Sequence, residues 1–300
     1  MSYLAIDIGG SSIKYALMND REILDRGDKI KTPREDLDAF LNILFGIYDR
    51  YESKIEGVAI SAPGRIDSST GYFYHGGALR YLYHVNLIEL LSSHMHHPIT
   101  VENDGKCAAL AELWRGSMMN VENGIVIAIG TGVGGGVIIN HQLYRGSHSS
   151  AGEIGNMIAF MKEPFSPDHT WVNLSRSHSL LDMYTDRMGL ARDEIGGKWF
   201  FQRANRKDPD ALAVLREYCT YLTNGILSIQ AVLDIERIAI GGGYSKETLF
   251  LEYLNQSLEG SYAKIDPHYA VEKPEVVLCT FGNDSNLIGA LYYHLQQVSH

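Results

Sequence analysis

The chain has 300 residues, enough for one large or two ordinary domains, and 45% of them are hydrophobic, enough to bury a sizeable core. This composition excludes a disordered chain and a small disulfide-stapled protein. Its 36 acidic and 26 basic residues give a net charge of −10, which repels nucleic acid and anionic membranes at long range. A nucleic-acid or membrane partner is therefore not predicted, although a local phosphate site stays open.

The cysteines and the N-terminus indicate a cytoplasmic protein. Cys107, Cys219 and Cys279 form no Cys-x-x-Cys pair, so neither a disulfide framework nor a thiolate metal site is predicted. The first residues lack the basic and apolar regions of a signal peptide. The most apolar stretch, residues 124–139, is shorter than the roughly 20 residues that a bilayer requires and is rich in glycine.

The first predicted elements are two strands and a helix. Residues 4–8 are apolar enough for a buried strand, a glycine pair turns the chain, and residues 13–18 return as a second strand. Residues 32–35 (TPRE) have the pattern of a capping box with proline at the first helical position. An amphipathic helix is therefore predicted to begin there.

Alternating strands and helices follow. Strands are predicted at residues 57–61 and 99–102, and an alanine-rich helix at 106–114 is entered through Asn103 and Asp104. The later elements are strands at 124–130, 134–139, 237–240 and 276–279 and helices at 210–233, 245–258 and 285–297. Residues 163–170, which contain two prolines, predict an irregular insertion.

The second half of the chain repeats the opening device of the first. A strand, a glycine turn and a returning strand occur again after ~120 residues, which suggests two related halves. The predicted fold class is therefore α/β with two lobes. A cleft between two such lobes is where a ligand is expected.

The first glycine turn lies in residues 7–14 (DIGGSSIK), where a carboxylate ends a strand and two glycines expose backbone N–H groups. Such a turn can hold phosphate oxygens. The candidate binding residues of this turn are Asp7, Gly9, Gly10, Ser11, Ser12 and Lys14. A glycine hairpin with a solvated lysine explains this segment alone equally well, because short glycine motifs often match by chance.

Two further glycine turns strengthen the phosphate interpretation. Residues 130–136 (GTGVGGG) contain five glycines in seven positions, which costs backbone entropy that a simple hairpin does not require. Some group is therefore expected to approach the backbone of Gly130, Thr131, Gly132 and Gly134 closely. A third turn with Gly242 and Gly243 follows a strand and precedes a helix, which suits a phosphate or a nucleoside edge or is a plain connection.

Two polar clusters are candidates for sugar chemistry. Asn103 and Asp104 stand at the start of a helix, where the helix dipole favours an ionised carboxylate that can accept a hydroxyl proton. A helix N-cap is a common use of either residue type, so both interpretations stay open. Glu153 and Asn156 have a spacing that can bind vicinal hydroxyls, or they form a solvated turn. The histidines of residues 94–97 are interpreted as a surface loop and not as a metal site.

Taken in order, these segments resemble the ROK family of sugar kinases, within the actin-like, ribonuclease H-like ATPase superfamily. The resemblance covers essentially the whole chain. The matching segments are residues 7–11 (DIGGS), 62–64 (APG), 102–104 (END), 130–136 (GTGVGGG), 151–155 (AGEIG) and 242–245 (GGYS). Each segment is modest alone, but their order and spacing together are highly specific.

The resemblance implies two actin-like lobes, residues 1–116 and 117–300, with the final helix at 285–297 packed on the first lobe. It implies that Asp104 is the general base, that Asn103 and Glu153 hold sugar hydroxyls, and that Gly64 and Gly77 border the sugar. The first two glycine turns would hold the phosphates of ATP with Mg²⁺, and Gly242 and Gly243 would lie near the nucleoside. A cytoplasmic homodimer that phosphorylates a hexose or β-glucoside, at its 6-OH, is expected.

The sequence departs from the family pattern in two places. Asn156 stands where many members have a histidine, and the cysteine-rich zinc loop is absent, so no structural zinc is predicted. Asn173 falls near the position of a sugar-binding glutamate of the zinc-containing members. Members without the zinc loop include kinases of glucosides and of N-acetylmannosamine, and residues 76–79 (GGAL) resemble the β-glucoside group. An N-acetylmannosamine kinase and a glucokinase are the alternatives within the family.

Two functions from other classes are alternatives. The family includes sugar-responsive repressors, but these carry a helix-turn-helix domain ahead of the first lobe, and here the first strand is expected to begin at Tyr3. A catalytically silent sugar-binding regulator requires that Asp104 is not the base. Retention of Asp104 together with the glycine turns favours the kinase.

Overall fold

The computed structural model describes residues 1–159, 166–191, 195–244, 246–265 and 271–298, and it divides into two compact units. Unit 1 comprises Met1–Met119, Leu143–Ala151 and Asn283–His300, and unit 2 comprises Asn120–Gln142 and Gly152–Gly282. Residues 143–151, called the strap below, therefore belong to unit 1 although the chain on both sides of them belongs to unit 2.

The secondary structure alternates strands and helices in both units. The strands are β1 (Tyr3–Ile8), β2 (Ser12–Met18), β3 (Ile23–Arg26), β4 (Ile30–Lys31), β5 (Val58–Ala62), β6 (Arg65–Asp67), β7 (Tyr72–His75), β8 (Val85–Asn86), β9 (Ile99–Asn103), β10 (Gly124–Ile129), β11 (Val133–Ile139), β12 (Gln142–Tyr144), β13 (Arg237–Gly242) and β14 (Glu275–Leu278). The helices are α1 (Leu37–Tyr51), α2 (Leu87–Ser92), α3 (Asp104–Arg115), α4 (Val172–Ser175), α5 (Ser177–Met188), α6 (Gly197–Asn205), α7 (Pro209–Leu233), α8 (Thr248–Tyr262) and α9 (Ser285–Val298). The predicted α/β fold class is confirmed.

Unit 1 is built on a mixed sheet in which β1 is fully buried. The strand order is β3-β2-β1-β5-β9, with β4 paired to β2. β1, β5 and β9 run parallel, and the register sets Asp7 opposite Ser61 and Ala62 opposite Asn103. The carboxyl ends of parallel strands meet at one edge of a sheet, which is where α/β proteins bind ligands. The register therefore brings Asp7 and Asn103 to the same edge.

Helices cover both faces of this sheet. One face packs against α1, and the other packs against α9, where Leu287 and Leu291 contact Tyr3 and Ala5 of β1. α9 also lies close to α3, because Gly289 meets the backbone of Cys107 and leaves no room for a Cβ there. The sheet is consequently buried on two sides, which explains why its central strand is apolar except at Asp7, near its carboxyl end.

His294 of α9 is a buried neutral base. Its ring is fully buried, Thr100 hydrogen-bonds Nδ1 at 3.0 Å, and Nε2 has no hydrogen-bond partner among the residues that the structure describes. Burial lowers the pKa of His294 from 6.5 to about 4. Between these two pH values His294 is protonated in the unfolded chain but not in the folded protein. The free energy of unfolding therefore decreases as the pH falls through this range.

Lowering the pH from 7.5 to 5.0 is expected to reduce the free energy of unfolding by about 2 kcal/mol through His294. Urea denaturation at the two pH values measures this change. In the variant His294→Gln, which has no titrating ring, the pH dependence should shrink by that amount. An equal dependence in the variant would assign the effect to other groups.

Unit 2 repeats the strand arrangement around a second sheet. The order is β12-β11-β10-β13-β14, with β10 and β11 antiparallel and β10, β13 and β14 parallel. The register pairs Ile129 with Gly242, so the glycine turn after β10 and the end of β13 lie at the same edge. The long helix α7 packs with α5, α6 and α8 in the core of this unit.

The predicted start of the first helix is wrong. α1 begins at Leu37 with Asp36 as its N-cap, because the Asp36 carboxylate accepts a hydrogen bond from the Ala39 N–H. The predicted cap Thr32 instead donates its hydroxyl to the carbonyl of Gly9 at 2.6 Å.

Two other predicted segments fall partly outside the described residues. The helix expected at 245–258 begins at Thr248 in the structure, and its predicted first residue, Ser245, lies outside the described residues. Residues 163–165 of the expected insertion lie outside them as well. Among the residues that the structure describes, no helix has the length and apolar character needed to cross a bilayer.

Candidate active site

The first glycine turn is organised around the carboxylate of Asp7. Asp7 is 5% exposed, and its Oδ1 accepts hydrogen bonds from Ser61 Oγ at 3.2 Å and Asn286 Nδ2 at 2.9 Å. Lys14 Nζ lies 3.4 Å from Oδ2. Lys14 is therefore paired and not simply solvated. These partners hold the carboxylate in a fixed orientation at the end of β1.

The backbone of the turn is held from outside. The carbonyls of Gly9 and Gly10 accept hydrogen bonds from Thr32 and Arg34, and the Gly9 N–H donates to the carbonyl of Ser12. Ser11 at the tip is exposed, whereas Ser12 begins β2 and is buried. Ser11 is therefore the more accessible of the two hydroxyls.

Asp104 lies at the start of α3, next to the residue that caps this helix. Asn103 is the N-cap, because its Oδ1 accepts from the Lys106 N–H at 3.1 Å. Asp104 Oδ1 accepts from the Gly105 N–H at 2.8 Å and from Asn103 Nδ2 at 3.1 Å. The capping role thus falls to Asn103. Asp104 is a half-buried carboxylate at a positive helix end, where its ionised form is favoured.

Gly64 and Gly77 lie beside this pair. Asn103 Nδ2 also donates to the Gly64 carbonyl at 2.9 Å. Gly64 has φ +106°, and a Cβ there would collide with the carbonyl of His75. Gly77 has φ +60° and approaches Gly64 closely. Four of the predicted sugar-site residues are therefore adjacent in unit 1.

Glu102 anchors the strand that carries these residues. It is fully buried, and one oxygen accepts from Ser68 Oγ at 2.7 Å and from the Asn103 N–H at 2.8 Å. The other oxygen accepts from Arg145 of the strap at 2.9 Å, through both Nε and a terminal nitrogen. Lys106, which is 2% exposed, donates to the Ser149 carbonyl of the strap at 3.1 Å. The strap is therefore attached through two charged contacts, one with Glu102 before Asp104 in the sequence and one with Lys106 after it.

In unit 2 the second glycine turn lies at the N-terminus of α5. The carbonyl of Gly130 accepts from the Ser177 N–H at 2.9 Å and from its hydroxyl at 2.7 Å. Thr131 and Gly132 are exposed, and a Cβ at Gly132 or Gly134 would meet nothing within 4 Å. The turn thus leaves open space in front of its backbone. The Gly243 N–H donates to the carbonyl of Ile129 at 3.1 Å, which joins the third glycine turn to the second.

Gly242 and Gly243 offer a matched pair of substitutions. Gly242 has φ +92°, and a Cβ there would collide with the backbone of Ile129, whereas a Cβ at Gly243 meets nothing within 4 Å. We expect Gly242→Ala to lower the melting temperature by several degrees and Gly243→Ala to melt like the parent protein. Thermal unfolding of the two variants measures both effects. Equal melting of the two variants would contradict the strain assigned to Gly242.

Glu153 and Asn156 are exposed residues of a turn that packs on β11. Gly152, with φ +89°, lies against the carbonyl of Gly135, and the Asn156 N–H donates to the carbonyl of Glu153 at 3.1 Å. Asn173 is in α4 of the same unit, and its Nδ2 donates to the Asp168 carbonyl at 3.2 Å. The turn therefore presents both predicted sugar ligands to solvent within unit 2.

Six residues that bond to the predicted site residues or anchor the strap were not themselves predicted as site residues. They are Ser61, Glu102, Lys106, Arg145, Ser177 and Asn286. Ser61 had a usable signal, because it ends the strand predicted at residues 57–61. Asn286 lies 279 residues from Asp7 along the chain, and no local pattern connects the two.

The family model of ROK proteins, described as "ROK family", matches residues 3–297. The β-glucoside kinase of Klebsiella pneumoniae is 31% identical over 99% of this chain and 97% of its own length. The glucokinase of Halalkalibacterium halodurans is 30% identical over 98% of this chain and 95% of its own length. Both relatives are sugar kinases, phosphotransferases that act on an alcohol group.

A solved structure gives the same result for the fold. A ROK family protein from Streptococcus pneumoniae, in complex with sucrose, superposes with a TM-score of 0.87 at 30% identity, over 100% of this chain and 99% of that one. The resemblance carried by the sequence motifs is confirmed over nearly the whole chain. The chain therefore belongs to the ROK family and has the actin-like α/β fold of its sugar kinases.

Proposed function

We propose that the protein is an ATP-dependent sugar kinase that transfers the γ-phosphoryl group of Mg·ATP to a hexose or β-glucoside, at the 6-OH, with Asp104 as general base. The observation that supports this most directly is the carboxylate of Asp104 at the N-terminus of α3, bonded to Asn103 and through it to the Gly64 loop. The names of the relatives agree with the reaction, and the disaccharide bound by the Streptococcus protein agrees with a glycoside substrate.

Asp104 is suited to proton transfer. Its Oδ1 is held by the Gly105 N–H and by Asn103, so the carboxylate keeps one orientation before substrate arrives. The helix dipole of α3 favours negative charge at this end of the helix. In a loose phosphoryl-transfer transition state the hydroxyl proton leaves late, and a positioned carboxylate accepts it.

The glycine turns are proposed to bind the nucleotide. Residues in this role are Asp7, Gly9, Gly10, Ser11, Ser12 and Lys14 in unit 1 and Gly130, Thr131, Gly132, Gly134, Gly242 and Gly243 in unit 2. Asp7 offers a buried, oriented oxygen of the type that Mg²⁺ prefers, directly or through water, so these residues fit the ion. Bound Mg²⁺ would neutralise charge on the phosphates. The backbone N–H groups of the turns bind and orient phosphate oxygens.

The sugar is proposed to lie against Gly64, Gly77 and Asn103, with Glu153 and Asn156 as further ligands of its hydroxyls. The two glycines permit close approach, because no side chain projects from them. The family resemblance also implies a cytoplasmic homodimer, and light scattering of the purified protein tests the dimer.

The test is a coupled ADP-release assay with Mg·ATP against glucose, cellobiose, an aryl β-glucoside, N-acetylmannosamine, N-acetylglucosamine, mannose and fructose. Turnover of one of them supports the kinase and identifies its substrate class. Turnover of N-acetylmannosamine or of glucose alone would assign the alternatives within the family, and phosphorus NMR of the product locates the phosphate. Sugar binding without ADP release would indicate a non-catalytic sugar-responsive regulator.

A further inference from the structure

An exposed aromatic pair borders the Gly64 and Gly77 loops. The rings of His75 and Tyr83 have centroids 4.3 Å apart and planes inclined by 37°, and Tyr83 Oη lies 2.6 Å from His75 Nε2. Tyr83 is 39% exposed. A large aromatic side chain is normally buried, so an oriented pair left at the surface calls for a partner.

Neighbouring aromatic residues already have structural partners. Tyr81 is half-buried, packs on Phe40 and donates to the carbonyl of Pro33 at 2.6 Å. Tyr74 is as exposed as Tyr83, but the guanidinium of Arg65 covers its ring at 4.5 Å. The ring of Tyr83 differs from both, because its only ring contact among the described residues is with His75, which is itself exposed.

Hydrogen bonds connect the pair to the site of Asp104. The Gly77 N–H donates to His75 Nδ1 at 2.9 Å, so the ring proton is on Nε2, which donates to the oxygen of Tyr83. The hydroxyl proton of Tyr83 can therefore be donated outward. Gly77 contacts Gly64, whose carbonyl accepts from Asn103 beside Asp104.

We propose that His75 and Tyr83 form a subsite for the second ring of a glycoside, the aglycone, whereas the ring to be phosphorylated lies at Gly64, Gly77 and Asp104. The aromatic faces pack against the apolar face of a pyranose or phenyl ring, and the Tyr83 hydroxyl donates to a sugar oxygen. This inference rests on the proposed function and assigns two residues of unit 1 to the ring-shaped aglycone of a glycoside substrate.

The test compares kcat/KM for glucose, cellobiose and an aryl β-glucoside in the parent protein and three variants. Tyr83→Ala is expected to lower the ratio of either glucoside to glucose by about fivefold to tenfold, the range of one aromatic contact. Tyr83→Phe should retain the aryl glucoside and lose part of the preference for cellobiose, because only the sugar uses the hydroxyl. Tyr74→Ala, the matched exposed aromatic, should not change the ratios.

Two outcomes would overturn the subsite: equal losses for glucose and glucosides in Tyr83→Ala, or turnover of glucose by the parent protein with none of either glucoside. Both outcomes would overturn the subsite and not the proposed kinase activity, because a sugar is still phosphorylated in each. Calorimetric titration of the aryl glucoside into the parent protein and Tyr83→Ala covers the case in which no sugar is phosphorylated. Weaker binding to the variant would then support the subsite although the kinase fails, and equal binding would overturn it.

Discussion

Replacing Asp104 with asparagine is expected to lower kcat for phosphoryl transfer by about 10²- to 10⁴-fold, the usual contribution of a general base. Asparagine keeps an oxygen that can accept from the Gly105 N–H, so the start of α3 should stay intact. The KM for the sugar should change only a few-fold, because proton acceptance stabilises the transition state and not the bound ground state. Steady-state ADP release with each accepted sugar measures both constants.

Asp38→Asn is the matched control for this variant. Asp38 is an exposed carboxylate in the first turn of α1, in the same unit and at a comparable position in its helix. It should retain the parent kcat. A near-normal kcat in Asp104→Asn would remove Asp104 from the chemistry and reopen the non-catalytic alternative.

Truncating Arg145 to alanine is expected to lower the free energy of unfolding by about 3 kcal/mol, because it leaves the carboxylate of Glu102 buried without its charged partner. The loss should be partly recovered when Glu102→Gln is added, since the amide removes the buried charge. Arg145→Lys should fall between the parent and alanine, because lysine restores the charge without the paired N–H donors. Urea denaturation of the parent protein, Arg145→Ala, Glu102→Gln and their double variant measures the cycle, and Arg145→Lys is measured beside them.

Arg26→Ala is the control for this cycle. Arg26 also binds a carboxylate through two nitrogens, that of Asp284, but its side chain is 50% exposed, so its loss should cost less than about 1 kcal/mol. If Arg145→Ala were as stable as Arg26→Ala, Glu102 would not depend on the strap for its charge balance.

The elements predicted best are those with strong local patterns. The glycine turns after β1 and β10 are flanked by apolar strands, and the structure has strands there within two residues of the predicted bounds. The start of α1 was predicted too early. The Thr32 hydroxyl, predicted to cap the helix, instead donates a tertiary hydrogen bond to the carbonyl of Gly9, and Asp36 caps the helix. β6, β7 and β8 were missed because strands of two to four residues are too short to show a hydrophobic period.

The candidate site divides in a similar way. Asn103 and Asp104 are adjacent in sequence, so a local motif was sufficient to select them. Arg145 and Asn286 act through contacts with Glu102 and Asp7, which are far away along the chain. The path of the strap brings the first pair together and the packing of α9 on β1 brings the second, and neither can be derived from a single sequence.

The packing of α9 on β1 has a consequence for the order in which the protein is made. β1 leaves the ribosome first, but Leu287 and Leu291, which cover one of its faces, are synthesised only after all of unit 2. At ordinary translation rates this delay is on the order of ten seconds. The nascent first sheet must therefore wait with one apolar face uncovered, and unit 1 completes its folding after unit 2 has been synthesised.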